Sequence, residues 1–119
     1  MGRYDFFRVG IGGAVGACLR WLVIENTTTH MFPWPTLLIN LFGCAALGML
    51  IARNKNRETL LTWGAGLCGG LTTFSTFSLE IAILFRDNEI FIPLFYLFIS
   101  VLVGILLFKS ALKACGEKR

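Results

Sequence analysis

The sequence predicts an all-helical integral membrane protein with four spans, the third of them broken. Three observations carry that fold class. The chain has 119 residues, of which 55% are hydrophobic and only 15% charged, with a mean hydropathy of +0.70. A soluble domain of this size needs clearer polar faces and more charge. Apolar stretches run roughly over 6–24, 36–52, 60–85 and 90–112, each near or above the ~17–25 residues that cross a bilayer as a helix. Within the third stretch, the run from Gly66 to Ser78 holds glycines, two phenylalanines and five hydroxyl residues, a poor composition for a continuous apolar helix. Bilayer hydrocarbon offers no water to an interrupted backbone, so such a break must pack in protein or line a polar cavity. Broken helices at membrane depth mark ion and substrate sites. One membrane domain, 1–119, centred on an ion-handling break, is the reading.

The first span is read as a retained helix, because it contains Arg20 and several glycines and is followed by no convincing small-residue cleavage site. Gly12, Gly13 and Gly16 give it a small-residue face, suited to close approach of a second helix. Arg20 lies near its end, where a long basic side chain either snorkels to the interface as a helix-end tether or stands at a vestibule that attracts anions. The connection over 25–35 is polar and then interfacial: Pro33 and Pro35 are helix stops, and Trp34 suits the headgroup zone. His30 in this loop has no paired ligand and reads as a surface residue.

In the second span Gly43, Cys44 and Gly48 suggest packing. Asn40, four residues beyond Thr36, has donors and an acceptor that need partners inside the membrane. Composition leaves it between interhelical hydrogen bonding and a pore-lining donor. A basic loop over 53–58 precedes the third span. There Phe74, Phe77 and Ser78 share a helical face, while Thr76 and Glu80 lie four apart on a neighbouring one. An ionisable group at this depth is a functional candidate by default, which singles out Glu80. After a loop over 86–89, Tyr96 and Ser100 are four apart in the fourth span and extend the polar line. Cys18, Cys44, Cys68 and Cys115 lack metal or disulfide spacing and read as small packing residues.

Charge adds topology. Arg3, Arg8, Arg53, Lys55, Arg57, Lys109, Lys113, Lys118 and Arg119, nine of the eleven basic residues, fall on one side of a four-span chain, with Arg20 and Arg86 left for the other. The positive-inside rule puts both termini in the cytoplasm. The net charge of +4 follows from this topology, and no aromatic-basic pattern points to nucleic acid.

Three runs together resemble the Fluc/CrcB family of small fluoride channels of bacterial and archaeal cell membranes. They are the stretch from Gly12 to Trp21, the stretch from Thr36 to Asn40 with Gly43, and the stretch from Gly69 to Ser78, which is the most specific. With the four spans, they extend the resemblance over nearly the whole chain. The resemblance implies an antiparallel dual-topology dimer in the lipid membrane, two fluoride pathways and a structural Na+ ion between the subunits. By matching position, Gly69 and Thr72 would give backbone carbonyls to that sodium. Phe74 and Phe77 would line the fluoride route with their electropositive ring edges, and Asn40 would donate its amide N–H groups. Ser75, Thr76 and Ser78 would add hydroxyls, and Glu80, Tyr96 and Ser100 match a polar track. Gly104 has no hydroxyl where that track would continue. The function implied is passive fluoride export that relieves toxicity, without catalysis.

An antiparallel homodimer favours a weak basic bias, whereas this chain is strongly biased. It is therefore expected to pair either with itself or, as a heterodimer, with a homologue of opposite bias. Two rival readings remain. A small multidrug-type exporter would need a carboxylate deep in the first span, which has only Asp5 and Glu25 at its ends. A non-transporting assembly subunit would explain the glycines but not the coincidence of Asn40, the break and Glu80.

Overall fold

The computed structural model describes residues 2–27, 31–87 and 90–116. His30, part of the 86–89 loop, and Lys118 and Arg119 lie outside the described residues. Six α-helical segments and one π-helical segment follow in order: α1 (Arg3–Glu25), α2 (Trp34–Arg53), α3 (Arg57–Thr59), the π segment (Leu60–Cys68), α4 (Gly69–Leu71), α5 (Phe74–Arg86) and α6 (Phe91–Gly116). They make four membrane-length units, since α3 to α5 together form one span over Arg57–Arg86. The long axis of the molecule is 47 Å, enough for a bilayer with its headgroups.

Each unit is longer than its apolar stretch because polar and aromatic residues at the interface continue the helix. The second differs for a physical reason. Pro33 and Pro35 start this helix rather than stop one: Pro33 is the N-cap and Pro35 falls in the first turn of α2, where no backbone N–H is needed for the ladder. The third span starts with a side-chain cap, Asn56 Oδ1 accepting from the Glu58 N–H at 2.9 Å.

Glycines set the helix pairing. A Cβ on Gly12 or Gly16 would collide with the carbonyls of Thr62 and Leu67, and one on Gly70 would stand 2.8 Å from the Gly13 Cα. The first span and the first half of the third therefore run parallel, backbone on backbone, as the small-residue face predicts. The even-numbered spans pair in the same way: a Cβ on Gly48 would collide with the Phe108 carbonyl, and one on Gly104 would meet Cys44 Sγ at 3.4 Å. Between the two pairs, Gly43 faces Thr72 and Gly64 faces Leu47, an antiparallel contact.

This up-down order brings the starts of the first and third spans to one end. There Arg57 Nη1 lies 2.9 Å from Asp5 Oδ2 and Arg8 Nη2 lies 2.8 Å from Glu58 Oε1. The Gly48–Phe108 pairing brings the end of α6, with Lys109 and Lys113, to the same end. Large apolar side chains such as Phe7, Ile11, Phe42, Phe91 and Phe98 point outward, the reverse of a water-soluble protein. The small buried core of Leu37, Phe77 and Tyr96 lies where α2, α5 and α6 meet.

Candidate functional site: a clamped break in the third span

The third span breaks at two residues. Thr72 (φ −74°, ψ 154°) and Thr73 (φ −145°, ψ 123°) are extended between α4 and α5. The break interrupts the i to i+4 ladder and frees the carbonyls of residues 69–72. Side chains from three directions take over part of the released backbone groups, as the low-dielectric surroundings favour.

Asn40 on α2 closes both backbone groups of Thr73. Its Oδ1 accepts the Thr73 N–H at 2.8 Å, and its Nδ2 donates to the Thr73 carbonyl at 3.1 Å. In an unbroken helix that N–H would go to the carbonyl of Gly69. Thr73 also caps α5, its Oγ1 accepting the Thr76 N–H at 3.2 Å in place of the Thr72 carbonyl, and it joins the hydroxyls of Ser75 and Thr76. From α1, Arg20 Nη1 donates to the carbonyls of Gly70 at 2.8 Å and Thr72 at 3.0 Å. One nitrogen of the Arg20 guanidinium is thus engaged by the break itself.

The break opens on a groove of about 610 Å³, lined among others by Asn40, Gly69, Thr72, Phe74, Phe77 and Ser100. Gly69 faces open space and the Phe74 ring is 80% exposed, so the groove lies on an uncovered face. Phe77 is buried beneath it, its ring centroid 6.0 Å from that of Phe74. Ser100 Oγ is buried at the groove with no hydrogen-bond partner among the described residues.

Behind Phe77 lies a second polar group. Thr36 Oγ1 donates to Glu80 Oε1 at 2.6 Å and Tyr96 OH donates to Glu80 Oε2 at 2.7 Å. Thr36 and Tyr96 are buried, and the Tyr96 ring meets Phe77 edge-on at 5.0 Å and 61°. The expected single polar line is therefore two groups joined through one ring. Asn40, Phe74, Phe77 and Ser100 meet at the groove, while Glu80 and Tyr96 meet behind it. Ser75 and Thr76 belong to the cap network, and Ser78 is half-buried on α5 away from the groove lining. Thr76 and Glu80, four apart, bond to different partners.

Two residues outside the expected set matter here. Thr73 was legible as a helix cap, three residues before Thr76 at the head of an apolar run. Thr36 had no signal of its own, because its partner Glu80 is 44 residues away.

The family model described as "CrcB-like protein, Camphor Resistance (CrcB)" matches residues 7–112. A fluoride-specific ion channel FluC 1 of Ligilactobacillus salivarius is 37% identical over 100 residues, covering 82% of this chain and 88% of the relative. A FluC 2 channel of Clostridium acetobutylicum is 36% identical over 105 residues, covering 86% and 90%. A FluC channel of Chlorobium phaeobacteroides is 41% identical over 105 residues, covering 82% of each.

Proposed function

Because the chain belongs to the CrcB-like family, we propose that this multi-pass membrane protein is a fluoride-selective channel, not an enzyme, and that it lets fluoride leave the cytoplasm passively. The observation that carries the reading is the Ser100 hydroxyl, buried without a partner among the described residues in the same groove as Asn40, Phe74 and Phe77. A buried unpaired donor costs free energy in the empty protein, and an anion accepting from it removes that cost.

Conduction needs binding strong enough to strip water from a small anion and weak enough to release it. The groove meets both needs with neutral donors. Asn40 has two amide hydrogens and gives one to Thr73, leaving one for an anion. Beyond Phe77 the hydroxyls of Thr36 and Tyr96 each have a single hydrogen, committed to Glu80. A fluoride ion entering there competes with the carboxylate for donors and is released as the carboxylate takes them back. The ring edges of Phe74 and Phe77 bridge the two groups without a fixed charge.

The exposed groove is half of a site. A second subunit in antiparallel orientation would cover Phe74 and face Gly69 with its own equivalent. The residues present suit a sodium ion at that junction. Asn40 removes the N–H that Gly69 would otherwise bind, and the Thr72 carbonyl keeps a second lone pair beside Arg20. Two oxygens under-fill the shell of a hard cation, and a facing subunit supplies two more. Held there by the Gly69 and Thr72 carbonyls, a sodium ion would neutralise the facing carbonyl dipoles and tie the subunits together.

The partner is a second copy or, given the basic residues gathered at one end, a homologue with the opposite charge bias. Cytoplasmic termini in the cell membrane follow from the same bias. The exporter reading lacks its carboxylate, since Asp5 at the head of α1 is held by Arg57. Fluoride efflux from liposomes, with chloride as control, tests the function. Orientation reporters on the termini test the pairing: an equal mixture in cells would remove the case for a heterodimer.

A further inference from the structure

We infer that Arg20 is a positioning residue for the cation site: it holds the Thr72 carbonyl in the orientation that a metal at the break requires. The inference deepens the sodium reading and rests on it. The break frees the carbonyls of residues 69–72 from helical partners. Arg20 takes two of them, Gly70 at 2.8 Å and Thr72 at 3.0 Å, with a single nitrogen. Asn40 and the Thr73 hydroxyl hold the far side by keeping the Thr73 and Thr76 N–H groups turned away.

With Arg20 removed, two carbonyls in an apolar setting lose a charged donor, and the segment recovers partners only by turning back toward the helix. The Thr72 carbonyl then loses the position that Arg20 gives it at the break. The guanidinium also repels a nearby cation, so it weakens the attraction of the carbonyls while fixing their geometry. In a site of so few ligands, presenting Thr72 outweighs that repulsion, because a carbonyl turned away contributes nothing.

A different role is the rival outcome. An arginine that served to gather anions at a vestibule would leave sodium dependence alone and change fluoride flux. Its Nη1 instead donates to two carbonyl oxygens, a poor setting for an anion.

The test compares wild type, Arg20→Lys and Arg20→Met, each purified with its functional partner subunit and checked by size exclusion and helical content. Two quantities are read: the sodium concentration at half-maximal thermal stabilisation of the dimer, and fluoride efflux at saturating sodium. Losing charge-assisted hydrogen bonds predicts a midpoint raised about tenfold or more in Arg20→Met. Arg20→Lys, which keeps a charged donor without the planar fork, lies between. If Arg20→Met fails to assemble, an intermediate midpoint in Arg20→Lys supports the inference, and a wild-type midpoint in Arg20→Lys overturns it. An unchanged midpoint in Arg20→Met with reduced efflux overturns it in favour of anion gathering. A wild type with no sodium dependence overturns the sodium reading and this inference with it.

Discussion

Replacing Ser100 with alanine separates stability from function. In most proteins deleting a buried hydrogen-bonding group destabilises, because it strands a partner. Ser100 Oγ has no partner among the described residues, so Ser100→Ala strands nothing and removes a desolvated hydroxyl that costs ~1–3 kcal/mol. Part of that cost is recovered when the side chain tilts, and we expect a net gain of ~1 kcal/mol. The loss of an oxygen-sized volume at an open groove subtracts little, since no close-packed cavity is created. Read as a melting temperature in fluoride-free detergent solution, this is a rise of a few degrees. Fluoride efflux from liposomes moves the other way. A hydroxyl bonded to an anion is worth ~1.5–3 kcal/mol, so efflux falls about tenfold or more. Higher stability with lower efflux is the signature of a ligand donor kept unpaired. A fall in melting temperature with unchanged efflux would show that the hydroxyl is structural, and would remove the observation on which the functional reading rests.

Asn40→Asp keeps the acceptor for the Thr73 N–H but sets a carboxylate oxygen against the Thr73 carbonyl; we expect a loss of ~2–3 kcal/mol in thermal stability and no fluoride efflux, with Asn40→Ala less severe in stability. Gly12→Ala forces a Cβ into the Thr62 carbonyl and should cost ~1–3 kcal/mol by overpacking, whereas Gly10→Ala, which faces open space, should be neutral or stabilising by ~0.5–1 kcal/mol; differential scanning fluorimetry of the two side by side checks the pairing of the first and third spans. Phe77→Ile removes the ring that joins the groove to the Glu80 group, and should abolish efflux while the protein still elutes at its wild-type assembly size.

Much of this arrangement was written locally. Span lengths follow from runs of apolar residues, and the break follows from glycines and hydroxyls that a membrane helix does not favour. The Gly12–Gly16 spacing announced a close helix contact, which the carbonyls of Thr62 and Leu67 supply. What stayed hidden was tertiary. Nothing near Arg20 in the chain shows that its partners are Gly70 and Thr72, 50 and 52 residues on. A separation of 44 residues likewise hides Thr36, whose hydroxyl meets Glu80 across a helix interface. Helical periodicity placed Thr76 and Glu80 on one line, but the cap at Thr73 draws Thr76 toward the break while Tyr96 draws Glu80 inward. Pro35 misled because its punctuation is positional: the residue that ends a helix in its interior begins one in its first turn.

The most direct test of the central claim is fluoride efflux from liposomes containing this chain, alone and with a co-expressed homologue of opposite charge bias, with chloride efflux measured in parallel. A fluoride channel predicts rapid fluoride-selective efflux in at least one of the two preparations, and efflux from the chain alone would show that it inserts in both orientations. No fluoride efflux from either well-folded preparation, or chloride passing as fast as fluoride, would contradict it.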